Sequence, residues 1–100
     1  MPADITPSAG TVISRTLEIR NQRGLHARAA AKFVKLVGQF TAEITVVKGD
    51  VSVSGSSIMG LMMLAASPGC HIRVTAQGAE AEQAMAALEA LIASRFGEEA

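Results

Sequence analysis

The chain has 100 residues, 49% of them hydrophobic, which is enough apolar material for one core in one domain. Nine Lys and Arg residues balance nine Asp and Glu residues, and this zero net charge argues against bulk nucleic-acid binding. Trp and Tyr are absent and Phe numbers 3, which argues against a base-stacking platform, and the single Cys70 leaves no partner for an internal disulfide and fits a reducing compartment.

Residues 1–10, with two prolines and a glycine, read as a loose tail without the basic and apolar regions of a secretory signal. No run approaches the roughly 18 apolar residues of a membrane span. The reading is a soluble cytoplasmic protein with its domain over residues 11–97 and a short tail over 98–100.

Residues 11–20 alternate: Ile13, Leu17 and Ile19 share a face, opposite Ser14, Thr16, Glu18 and Arg20. This predicts a half-buried strand whose apolar face Arg15 interrupts. After the polar connection Asn21-Gln22-Arg23-Gly24 the period turns helical. Ala30, Phe33, Val34 and Val37 follow i, i+3, i+4, i+7 spacing from His26 to about Val37, with Arg28, Lys32 and Lys35 on the solvent side and Gly38 as the stop. Ile44 and Val46, a tight turn at Lys48-Gly49-Asp50, and Val51 and Val53 predict a hairpin. A short apolar segment spans 58–64, and Ser67-Pro68-Gly69 breaks the chain. Ile72, Val74 and Ala76 predict a fourth strand. Ala84, Met85, Leu88, Leu91 and Ile92 predict a last helix over about 79–96, with Glu80 and Glu82 in its first turn, Arg95 in its last and Gly97 as its stop. The order β-α-β-β-α-β-α predicts an α+β layer pair, one sheet with all helices on one side.

Chemistry concentrates at Gly24-Leu25-His26-Ala27-Arg28-Ala29-Ala30. The spacing puts an imidazole in the first turn of a helix, where free N–H groups and a partial positive charge make an anion site. That field favours the neutral, nucleophilic ring. Gly24 permits a close backbone approach, and Ala27, Ala29 and Ala30 place small groups around the ring so that a large partner can reach it. Arg28 is either a charge-assisted donor to a phosphate or part of a solvated helix face. A histidine beside a phosphate-sized anion site reads as phosphoryl chemistry, since histidine forms covalent intermediates. Taken alone, a histidine at a helix start is commonly a plain surface residue. His71, on the outward face of a strand, and Cys70, a small partly buried residue, read as structural.

The second informative stretch is Ser56-Ser57-Ile58-Met59-Gly60-Leu61-Met62-Met63-Leu64, apolar on every side. Two turns cannot easily bury every face in so small a domain, so Met59, Met62 and Met63 either fill the core or offer an adaptable docking patch. Ser57 is an N-cap or a phosphorylation site that would put charge into that patch. No metal cluster, Walker-type loop or paired carboxylate site stands out, so no cofactor is expected and a phosphoryl donor would arrive on another protein.

These two stretches resemble the active-site and regulatory-serine signatures of HPr, the histidine-containing phosphocarrier of the bacterial phosphotransferase system, over residues 12–96. The resemblance implies an open-faced β-sandwich, a four-stranded antiparallel sheet with helices on one face. It implies a monomeric carrier without turnover of its own. His26 would take a phosphoryl group on Nδ1 from phosphorylated enzyme I and pass it to an EIIA-type protein, with Arg28 contacting the phosphate. Ser57 would match the serine modified by HPr kinase/phosphorylase. Ile58, Met59 and Met62 would form the docking patch, with Lys35 at its basic margin. Many family members carry proline where this chain has Ala29, and proline presets a first helical turn. Ala29 and the Met-rich second helix point toward a nitrogen-type regulatory relay over sugar uptake. A binding module acting through its phosphoserine form on a transcription factor is the rival class, although such paralogues lack the histidine that this chain keeps. A small acyl-phosphate-handling enzyme would need a second polar catalytic group, which the sequence does not show.

Overall fold

The computed structural model describes residues 12–98. The tail read over residues 1–10 lies outside them. The elements are β1 (Val12–Glu18), α1 (Ala27–Val37), β2 (Glu43–Lys48), β3 (Val51–Ser54), α2 (Ile58–Met63), β4 (His71–Gln77), α3 (Ala81–Ala93) and a closing 3-10 turn (Arg95–Gly97). The order agrees with the one expected from the sequence.

The strands form one antiparallel sheet in the order β1-β4-β2-β3. Val46 lies in register with Val74 on one side and Val53 on the other, which puts the apolar set of the central strands on one face. Ile44, Val46, Ile72, Val74 and Ala76 are buried there against Ala30, Phe33 and Val37 of α1 and Ala84, Met85, Leu88 and Ile92 of α3. Glu43, His71, Arg73 and Gln77 on the other face stay exposed. An antiparallel sheet with one wet face needs this alternation.

Arg15 interrupts the apolar face of β1 because β1 is an edge strand, and its guanidinium reaches Glu89 on α3 at 3.4 Å. Both side chains are largely exposed, so the pair contributes at most about 1 kcal/mol. The hairpin expected at 48–50 forms with Lys48 still paired to Val51, leaving Gly49 and Asp50 to turn the chain.

The last helix departs from its sequence pattern. It ends at Ala93, not near Phe96, and Arg95 lies outside its last turn. Arg95, Phe96 and Gly97 all have positive φ, at 59°, 56° and 76°. Two consecutive non-glycine residues in the left-handed region cost on the order of 1 kcal/mol each. Full burial of the Phe96 ring, 0% exposed, contributes about 2–3 kcal/mol and offsets that cost. Apolar spacing cannot show this reversal, because Phe96 stays apolar and inward whether the helix continues or folds back. Glu80 and Glu82 also divide. Glu82 is in the first turn of α3, whereas Glu80 is its N-cap residue and accepts a hydrogen bond from the Thr41 N–H at 2.6 Å.

Candidate functional site

His26 is the N-cap of α1, one position before the first helical turn in which the sequence placed it. Its backbone is extended, with φ −75° and ψ 178°. Its carbonyl takes the first ladder bond, from Ala30 N–H at 2.8 Å, so the amides of Ala27, Arg28 and Ala29 precede the intrahelical ladder. The ring turns back over this end, and Nδ1 accepts from the Arg28 N–H at 3.3 Å.

The loop before the helix is held by bonds within it and to distant parts of the chain. Gly24 has φ +66°, and a Cβ there would stand 2.2 Å from the Ala66 carbonyl oxygen. The close approach that this glycine permits is thus to the backbone after α2, and Leu25 N–H reinforces it by donating to the Ala66 carbonyl at 2.9 Å. Asn21 is fully buried and its Nδ2 donates to the Gly24 carbonyl at 2.8 Å and to Glu98 Oε1 at 3.2 Å. Both partners are acceptors, which settles the orientation of the amide. Asn21 Oδ1 is buried and has no hydrogen-bond partner among the described residues.

Glu98 completes the ring's surroundings. Its Oε2 meets His26 Nε2, with 22% of the histidine side chain and 17% of the glutamate side chain exposed. One ring nitrogen accepts from an amide and the other faces a carboxylate, so the network assigns the neutral ring as the Nε2–H tautomer. The hydrogen bond from His26 holds the Glu98 carboxyl below its ordinary value, the bond from Asn21 and the charge of Arg23 add to this, and desolvation acts against it. The sequence put residue 98 in a tail; the structure turns it onto the histidine. Neither Asn21 nor Glu98 was singled out by sequence. The available signals were the Asn21-to-Gly24 spacing of a side-chain-stabilised turn and a carboxylate just past Phe96-Gly97.

The surroundings of the ring need a correction. Ala29 and Ala30 are wholly buried in the core, so they do not line an approach to the imidazole; of the three alanines only Ala27 is exposed. Arg28 is exposed at the second helical position, where its side chain is free to reach an anion at the helix end. Lys35 is exposed in the last turn of α1.

Ser57 is the N-cap of α2, with Oγ accepting from Gly60 N–H at 2.9 Å. Leu61 faces the core and is 0% exposed, while Met59 and Met63 are each 71% exposed and Ile58 and Met62 are about 40% exposed. Of the two alternatives for the methionines, core filling is overturned: all three stand outward as a contiguous apolar patch beside Ser57.

His71 is exposed on β4 in register with Glu18. Cys70 is partly buried, and its thiol is pulled below the ordinary value chiefly by hydrogen bonding to the Ser67 side chain. Among the described residues no three His, Cys, Asp or Glu side chains gather in a way that could hold a metal ion, and no helix is long and apolar enough to cross a membrane.

A histidine thus caps α1 two residues before an exposed arginine, and comparison with known proteins gives the class such a chain falls in, the phosphocarriers of the phosphotransferase system. The family described as PTS HPr component phosphorylation site matches residues 13–94. The phosphocarrier protein HPr of Neisseria meningitidis is 48% identical over 87 residues, which span 87% of this chain and 98% of that protein. The phosphocarrier protein NPr of Shewanella violacea is 41% identical over 88 residues, spanning 88% and 97% of the two chains. The crystal structure of HPr from Thermoanaerobacter tengcongensis superposes with a TM-score of 0.84 at 44% identity and covers 88% of this chain and 99% of that one. The chain belongs to the HPr family of phosphocarriers, and its four-stranded sheet with helices on one face is the HPr fold.

Proposed function

We propose that His26 accepts a phosphoryl group on Nδ1 from phosphorylated enzyme I and passes it to an EIIA-type protein. The observation that carries this reading is the position of Nδ1 over the Arg28 amide at the start of α1. A phosphoryl group on that nitrogen would lie where helix amides and the Arg28 side chain can donate to its oxygens. The Nδ1 lone pair attacks phosphorus, the bond from phosphorus to the donor breaks, and the electron pair leaves with the donor. The reverse displacement delivers the group to the acceptor. The chain ends each cycle unchanged and acts as a carrier with no turnover of its own.

Ile58, Met59 and Met62 form the docking patch in this reading, with Lys35 at its basic margin. Their exposure supports it, because an apolar patch on a small domain suits successive weak partners. Ser57 is the regulatory site for an HPr kinase/phosphorylase: phosphate on its Oγ would displace the cap to Gly60 and put charge beside Ile58 and Met59. In this reading the protein works as a cytoplasmic monomer.

Discharge of the phosphorylated protein onto purified EIIA proteins of the sugar and nitrogen types tests the proposal. Transfer to the nitrogen type in preference supports the regulatory branch, toward which Ala29 and the Met-rich α2 point. Transfer to neither type contradicts the carrier role.

A further inference from the structure

We infer that Glu98 is a positioning residue for His26: it keeps the ring proton on Nε2, leaves Nδ1 as the nucleophilic nitrogen, and balances the charge the ring gains when Nδ1 is phosphorylated. The inference rests on His26 being the phosphoryl acceptor.

The carboxylate reaches the ring through a built arrangement. The chain reverses through three successive residues of positive φ, Arg95, Phe96 and Gly97. Phe96 is buried beneath them, and its carbonyl accepts from Lys32 Nζ at 2.6 Å. Glu98 then places one carboxylate oxygen on His26 Nε2 and the other 3.2 Å from Asn21 Nδ2. Asn21 is the residue that also holds the Gly24 carbonyl, so one buried amide sets both the loop before the histidine and the group behind it.

The proton count follows from this geometry. A neutral ring with Nε2–H carries its lone pair on Nδ1. When that pair forms the N–P bond and the donor's bond to phosphorus breaks, no proton leaves the ring. The product is an Nδ1-phosphorylated cation that still holds Nε2–H, and Glu98 faces that proton with a full negative charge. On discharge the N–P electron pair returns to Nδ1 and the ring is neutral again. The carboxylate therefore stabilises the charged, phosphorylated ring relative to the neutral one, as a carboxylate behind a catalytic histidine stabilises an imidazolium elsewhere. Arg23 is the cationic side chain whose charge acts on Glu98, the exposed Arg28 meets His26 through its backbone amide, and Lys32 is engaged by the Phe96 carbonyl.

The test uses the full chain with Glu98→Ala, Glu98→Gln and Glu98→Asp. Ring 15N chemical shifts of unphosphorylated His26 at neutral pH report the tautomer. A dominant Nε2–H form in the wild type, mixed tautomers in Glu98→Ala and restoration in Glu98→Asp are expected. For the phosphorylated forms, the midpoint of the pH profile for phosphohistidine hydrolysis should fall by about one unit in Glu98→Gln. Acceptance from enzyme I should slow about tenfold. Tautomer and pH profile unchanged in Glu98→Ala and Glu98→Gln overturn the inference. The tautomer measurement needs no phosphoryl donor, so it decides the role of Glu98 even where a failure to phosphorylate His26 would defeat the carrier reading.

Discussion

Lys32 and Phe96, 64 residues apart, are joined by a hydrogen bond from the lysine ammonium to the phenylalanine carbonyl at 2.6 Å. The bond fastens the closing turn to α1 less than two helical turns from His26. It explains how two non-glycine residues persist in the left-handed region: the turn is held from below by the buried ring and from the side by the lysine. The end of the last helix is thereby part of the site at the start of the first.

Phe96→Ala removes the anchor of that turn. The variant is expected to lose about 3–4 kcal/mol of stability. Urea unfolding followed by circular dichroism measures it, and a loss under 1 kcal/mol would show that the turn does not depend on the ring.

Gly24→Ala sets a Cβ 2.2 Å from the Ala66 carbonyl oxygen and forces alanine into φ +66°. Backbone on both sides must give way, so the expected loss is about 2 kcal/mol or more. Gly49→Ala is the control, since it too has positive φ but nothing within 4 Å, and only its backbone cost of about 1 kcal/mol should appear in the same melts.

Ser57→Asp and Ser57→Ala separate capping from charge. Aspartate caps a helix as well as serine does, so Ser57→Asp should keep its thermal midpoint while Ser57→Ala loses about 1 kcal/mol. Binding to enzyme I should weaken in Ser57→Asp alone, because only that variant puts charge beside Ile58 and Met59. Equal affinity of both variants by calorimetry contradicts the regulatory role of Ser57.

Much of the fold was readable because each strand and helix carries one apolar face whose period names it. Ile44 and Val46 alternate, and Ala30, Phe33 and Val37 recur at helical spacing; both sets are buried. The nucleophile candidate and its helix were readable for the same local reason, a glycine, a histidine and a helical run in succession. What was not readable depends on distant pairing. Glu98 meets His26 across 72 residues and Asn21 meets Glu98 across 77. No local pattern reports such contacts, and a carboxylate near a chain end looks like a solvated tail. The outward turn of Met59, Met62 and Met63 was undecided because a helix apolar on all sides has no preferred face until its neighbours are known.

Acid should uncouple the closing turn from the histidine. The Glu98 carboxyl is held below its ordinary value in the folded protein, so its bonds stabilise the fold above the ordinary glutamate range, and that contribution is lost as pH falls through the lower folded value. Melting curves of the wild type and Glu98→Gln should therefore differ at neutral pH and converge under acid conditions. A constant difference between them across that range contradicts the linkage.

The most direct measurement is intact-mass analysis after incubation with enzyme I and phosphoenolpyruvate, run in parallel on the wild type and His26→Ala. The account predicts one acid-labile phosphoryl group on the wild type and none on His26→Ala, whose fold should survive the loss of its cap at a cost of about 1 kcal/mol. Phosphoryl acceptance by a folded His26→Ala, or no mass gain on the wild type with enzyme I from the same source, would contradict it.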